Sequence, residues 1–346
     1  MTTIDVKTEA RSAREVLAWS RTTVEPALRA AVDALRPSMR RIAGYHFGWW
    51  NEHGHPQAAN GGKAIRPTLV LLSAQAVGAR PAAAVPAAVA VELVHSHSLL
   101  HDDVLDGDET RRHRRTAWRA FGPNAAILAG DALLTLAFDV LAASGHPAAA
   151  EGTRMLAAAV QTLVDGQSAD LTFEQRTQIE LAECLSMAKR KTGALMGRAC
   201  AVGAFFGGGS PAQVEYLDGF GAHLGLAFQH VDDLLGIWGD PAVTGKPVYS
   251  DLRCRKKSLP VVAALTSNTP AGHELAAIYH CGDPLFGTDL DHAAKLIEIA
   301  GGRAWSQTQI DDLLAQAMRE LQAAGPRARA AEELDALARL ATHRDH

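Results

Sequence analysis

Two groups of aspartates, far apart in the chain, are set in apolar sequence: Asp102, Asp103 and Asp106 within LLHDDVLD, and Asp232 and Asp233 within FQHVDDLLG. On a helix, residues four apart share a face, so Asp102 and Asp106 present their carboxylates side by side with Asp103 next to them. Like charges at that spacing repel, and the flanking Leu, Val and Phe residues argue for burial, where a carboxylate needs a counter-charge. Carboxylate oxygens are the hard ligands on offer, with no Cys/His site nearby. Mg2+ shared with phosphate oxygens is therefore the natural partner. The stretch Pro86 to Asp106 predicts one helix about 30 Å long. Its aspartates fall at the C-terminal end, where the helix dipole disfavours them by roughly several tenths of a kcal/mol each. A bound divalent metal would offset that cost.

Positive charge gathers in four places. The first is the loop Gly61-Gly62-Lys63-Ala64-Ile65-Arg66-Pro67, which brings backbone NH groups, a Lys and an Arg together ahead of a helix. Arg111-Arg112-His113-Arg114-Arg115 directly follows the first aspartates, and Lys191-Thr192-Gly193 stands alone. Lys246, then Arg255-Lys256-Lys257, follow the second group. Any one of these reads as a solvated surface. Acidic and basic zones in alternation fit a metal-bridged diphosphate.

The elements that must hold these groups read as helices nearly throughout, with Ala and Leu dominant and apolar residues at three- and four-residue spacing. Ser12-x-x-Glu15 and Ser306-x-x-Gln309 read as capping boxes, Pro67 and Pro123 as first-turn prolines, and the Gly-rich points at 207–209, 301–302 and 325 as stops. A chain of 346 residues that is 47% hydrophobic can bury a large core. One all-α domain over residues 12–346 follows, behind a flexible tail over 1–11. The net charge of −4 argues against a nucleic-acid surface as the main function, while leaving room for local basic clusters. Cys184, Cys200, Cys254 and Cys281 lack ligand spacing and read as reduced thiols of a cytoplasmic protein. The first residues lack a basic stretch followed by an apolar one, so no secretory signal is expected. The apolar run from Ala125 to Gly145 carries Asp131 and Asp139, which makes it a core helix in preference to a membrane span.

In their order, GGKAIRP, ELVHSHSLLHDDVLDGDETRRHRRTAW, AILAGDALL, GQSADL, KTGAL, FQHVDDLLGIWGD and GKPVYSDLRCRKKSLP resemble the motifs of the trans-isoprenyl diphosphate (polyprenyl) synthases, with the match close to geranylgeranyl diphosphate synthases. The similarity runs from Gly61 to the C-terminal helices. It implies an all-α bundle of the isoprenoid synthase type with a deep central cavity, three Mg2+ ions, and a homodimer. It also implies condensation of isopentenyl diphosphate with an allylic diphosphate. By the same resemblance Asp102, Asp103, Asp106, Asp232 and Asp233 hold metal. Arg111, Lys191 and Lys256 hold the allylic diphosphate, assisted by Lys246, with Thr192 and Gln229 beside them. Lys63, Arg66, His95 and Arg112 hold isopentenyl diphosphate. A class I terpene cyclase is the enzymatic alternative, although it needs no isopentenyl diphosphate site. A non-catalytic regulatory subunit is the other alternative.

Two positions depart from the pattern. Gly236 stands where a third Asp is usual, with Asp240 expected to compensate through water, and Tyr249 stands where Gly is usual, as a surface aromatic or a constriction of the site. The resemblance further makes His97 and Ser98 the floor of the elongation cavity. Neither is a bulky aromatic, so a C20 product is expected, with C25 or longer left open.

Overall fold

The computed structural model describes residues 10–57, 62–241, 247–280 and 285–343. Helices form where the apolar periodicity predicts them, in the order α1 (Ala13–Asp33), α2 (Pro37–His46), α3 (Ile65–Ala76), α4 (Val85–Leu105), α5 (Ala117–Phe121), α6 (Pro123–Ala142), α7 (Ala149–Gln175) and α8 (Leu181–Ala188). Then follow α9 (Ala194–Phe206), α10 (Pro211–Trp238), α11 (Ser250–Arg253), α12 (Leu259–Leu265), α13 (Pro270–His280), α14 (Thr288–Ile299), α15 (Gly302–Ala323) and α16 (Ala328–Thr342). The all-α reading holds, with one small exception. A two-residue hairpin pairs β1 (Thr110–Arg111) with β2 (Arg114–Arg115).

Start signals behave unequally. Ser12 caps α1 through a complete capping box with Glu15. Pro123 occupies the first turn of α6, and Pro67 is the third residue of α3. The second expected box is absent. Gly301, in the left-handed region at φ 88°, already starts α15, and Ser306 lies buried inside that helix with its Oγ 3.3 Å from His230 Nδ1.

At the centre, α10 packs between α9 and α15, while α4 packs on α6 and α3. The α9–α10 seam is a backbone contact. A Cβ on Gly221 would come 2.4 Å from the Met196 carbonyl, and one on Gly225 would come 2.8 Å from Gly193 Cα. Between α8 and α9 the chain widens into a π-helical turn, Lys189–Gly193. Such turns insert an extra residue into a helix and recur at functional sites. The helical stretches Pro81–Leu105 and Pro123–Ala142 are long and apolar enough to cross a membrane, yet they are the segments that pack on each other here.

Arg11, assigned to the tail by its position, is anchored. Its Nε and Nη2 donate to Glu333 of α16 at 2.8 and 2.5 Å. Burial raises the Glu333 carboxyl, but hydrogen bonds from Arg11 and Arg329 outweigh it and hold the group below its usual 4.5. A depressed folded pKa contributes stability that is present above the unfolded value and lost as pH falls through the folded one. Arg11→Ala is therefore expected to cost about 1–3 kcal/mol near neutral pH, with the difference from wild type shrinking in acid. Melting curves that coincide at neutral pH would contradict this.

Candidate active site

α4 and α10 bring both aspartate groups to one cavity of about 500 Å³. Asp102, Asp106, Asp108, Asp232, Asp233 and Asp251 line it, against an apolar wall that includes Leu99, Leu163, Leu195 and Phe228. Burial raises the Asp102 carboxyl, with Lys191 pulling it down and Asp106 pushing it further up. This concentration of oxygen donors fits a divalent hard cation.

The five predicted metal ligands divide into two kinds. Adjacent helical residues point in different directions, and the second aspartate of each pair is tied to the scaffold, Asp103 outside the cavity lining and Asp233 within it. Asp103 is 1% exposed, lies outside the cavity lining, and accepts from Arg111 Nε at 2.6 Å. Burial pushes it up to about 6, against the pull of Arg111. Asp233 accepts from Gln229 Nε2 at 2.7 Å and from the Leu259 backbone NH at 2.9 Å, so both its oxygens are engaged. Burial pushes it up to about 7 even though Lys256 and these donors pull the other way. Asp102, Asp106 and Asp232 remain as the predicted carboxylates best placed to hold a cation.

Gly236 changes meaning in the structure. A Cβ there would lie 2.4 Å from the Asp251 carboxylate. The space vacated by the missing third aspartate is thus filled by Asp251 of α11. Asp240, expected to compensate, lies past the end of α10, exposed and outside the cavity lining. Tyr249 sits in the left-handed region at φ 62°, which explains why Gly suits the position, and its ring packs on the core around Ile237 and Leu252. It does not line the cavity.

One basic group surrounds Glu92. Arg66 Nη1 lies 3.2 Å from His95 Nε2. A guanidinium only donates, so His95 accepts and is neutral. Burial, reinforced by Arg66 and Arg112, holds the His95 imidazole well below its usual range. Glu92 is pushed up to about 7 by burial, with Arg112 and Arg66 opposing. Arg112 occupies the hairpin turn, where it and His113 both take positive φ of 53° and 61°. Two such residues give a type I′ turn, normally a place for Asn-Gly. Its guanidinium presses on Gly62, where a Cβ would lie 2.4 Å from Nη2. Lys63 lines the same cavity from an exposed position.

The other basic group rests on the π turn and the loop before α12. Lys191 Nζ donates to Asp170 Oδ2 at 2.6 Å, and Thr192 Oγ1 donates to Gln229 Oε1. Gln229 passes this order on to Asp233, so it positions a carboxylate. Burial alone would lower Lys256, but Asp251, Asp170 and Asp233 outweigh it and keep the ammonium charged. Arg111 lines the cavity while bound to Asp103. Lys246 lies outside the described residues.

Of the two floor positions, Ser98 lines the cavity, whereas His97 lies outside the lining and packs beside His101 and Gly130. Residue reading passed over Glu92, Asp170 and Asp251. An Asp three residues after Gln167 on an apolar helix was a usable signal for Asp170. Asp251 carried none, since the four residues of α11 are too few to show a period.

The polyprenyl synthetase family model matches residues 49–297. The chain is 47% identical to a (2E,6E)-farnesyl diphosphate synthase of Mycobacterium tuberculosis over 326 residues, 93% of this chain and 91% of that one. It is 41% identical to a geranylgeranyl diphosphate synthase of the same organism over 333 residues, 96% and 94% of the two. A polyprenyl synthetase from Streptomyces coelicolor A3(2) superposes with a TM-score of 0.90 at 47% identity, covering 94% of this chain and 98% of that one. With this match and the paired acidic and basic groups of the cavity, the chain belongs to the polyprenyl synthetase family and is a trans-prenyl diphosphate synthase.

Proposed function

We propose that this enzyme condenses isopentenyl diphosphate with an allylic diphosphate, using Mg2+, and extends the product to C20. The observation that carries the reading is the presence of two basic groups on one cavity. Lys191 and Lys256 sit among the carboxylates, suited to an allylic diphosphate. Arg66, Arg112 and His95, with Lys63, form a second set suited to isopentenyl diphosphate. A cyclase, which acts on one diphosphate, has no use for the second set, and a silent subunit has no use for either.

Mg2+ held by Asp102, Asp106, Asp232 and Asp251 would neutralise charge developing on the leaving diphosphate; three ions per site is the proposed number. Around it, the charged Lys191, Lys256 and Arg111 stabilise the same charge without reorganising. The second basic set holds isopentenyl diphosphate so that its double bond faces the allylic carbon. Leu99, Leu163, Leu195 and Phe228 keep water from the cationic carbon. The neutral His95 is occupied by Arg66, so the proton lost from the adduct goes to the departing diphosphate. We place the enzyme in the cytoplasm. We also infer a homodimer, an inference supported by the outward apolar side chains Ile127 and Leu128 of α6, 39% and 57% exposed.

Ser98 is small and lines the cavity, which supports C20. The 47% identity to a farnesyl synthase favours C15 as the second reading. Incubation with Mg2+, isopentenyl diphosphate and C5, C10 or C15 primers, followed by chromatography, decides between them. The expected result is a C20 product that is abolished by EDTA and shortened by Ser98→Phe. Accumulation of C15 alone supports the farnesyl reading, and no consumption of isopentenyl diphosphate removes the proposal.

A further inference from the structure

His97 and His101 are one turn apart on α4, and both imidazoles lean on α6 at Gly130. The rings meet edge to face at 4.4 Å between centroids. Gly130 makes this approach possible, since a Cβ there would lie 2.4 Å from His101 Nε2 and 3.4 Å from His97 Nδ1. The next residue of α6 is Asp131, whose Oδ1 lies 3.6 Å from His101 Nε2. One donor atom from each of His97, His101 and Asp131 lies within 4.8 Å of the other two.

Three further observations single this cluster out. His97 is 6% exposed, and its Nδ1 makes no well-formed hydrogen bond among the described residues, the ring having only a weak backbone contact with Gly130. Burial, then the neighbouring His101, push the His97 imidazole down to about 4, so it is the neutral, ligating form at physiological pH. Finally, Asp131 is 58% exposed and His101 27%, which gives an ion a route in from solvent.

From this geometry we propose a second metal site on the enzyme, a transition-metal site formed by His97, His101 and Asp131 at the α4–α6 seam. Two imidazole nitrogens with one carboxylate oxygen suit Zn2+, Co2+ or Ni2+, whereas Mg2+ prefers an all-oxygen shell. Histidines at i and i+4 on a helix are the spacing that places two such ligands on one face. The ion would displace the present contact between His101 Nε2 and the Ile127 carbonyl, 3.0 Å apart, and would leave at least one coordination position to water. It would pin α4 to α6 immediately before Asp102, without sharing a ligand with the diphosphate centre.

The test is a titration of the full-length enzyme with Co2+ in the presence of excess Mg2+, which fills the all-oxygen centre. Nitrogen-ligated Co2+ of low coordination number absorbs strongly in the visible, and oxygen-ligated six-coordinate Co2+ absorbs weakly. The expected result is one strongly absorbing Co2+ per chain, displaced by Zn2+. Asp131→Ala should weaken it at least tenfold, and His97→Gln should abolish it. Asp131 is exposed, so that variant keeps the fold, as its far-ultraviolet circular dichroism would show. Absence of the strong band in the wild type overturns the proposal, as does a band unchanged in Asp131→Ala.

Discussion

Asp102→Asn is expected to lower kcat/KM by about 10²–10³-fold, the usual range for removing one preorganised electrostatic group from a transition state. The substitution keeps the shape of the side chain and removes its charge. Asp102 is the member of its pair that faces the cavity, between Lys191 and Asp106. It makes none of the scaffold bonds that Asp103 makes with Arg111. The loss should therefore fall on the rate and on the Mg2+ concentration needed, with the melting temperature close to wild type. Steady-state kinetics across a Mg2+ series provide the check. A loss under tenfold with an unchanged Mg2+ requirement would remove Asp102 from the metal-holding set.

A second large effect is expected at Asp251, a loss of about 10²-fold in kcat/KM on conversion to Asn. Its carboxylate rests on Gly236 and faces Lys256 and Asp233, so it supplies negative charge where the second motif lacks its third aspartate. Gly236→Asp alone should give no gain, because the new side chain pushes the Asp251 carboxylate out of its present place. In the double variant the new aspartate should restore part of what Asp251→Asn loses. The measurement is a double-variant cycle on kcat/KM. Strict additivity would show that the two positions do not substitute for each other.

The helices were legible because burial of one face imposes a 3.6-residue period, and α4 begins within one residue of its expected start. The hairpin was not legible. Arg112 and His113 adopt a turn that those residue types do not favour, and the tertiary contact with Gly62 overrides the local preference. Ser306 misled in the opposite sense, as a cap pattern whose serine was needed in the core beside His230. At the site, residue type and order identified the charges, and the resemblance assigned their roles. Neither could show which aspartate of a pair faces inward, since that depends on helix rotation, nor that Asp251 would reach Gly236 from a different element.

The contact between Gly193 and Gly225 has a consequence for how such an enzyme can change over generations. It joins the turn bearing Lys191 to the helix bearing Asp232 through main chain alone, so their separation does not depend on the size of any side chain between them. The wall at Ser98 belongs to another helix and is shaped by side chains. If that wall sets the length of the product, as proposed above, substitutions there would change the length while the spacing of Lys191 and Asp232 stays fixed, leaving the catalytic step and the size of what it makes free to evolve separately.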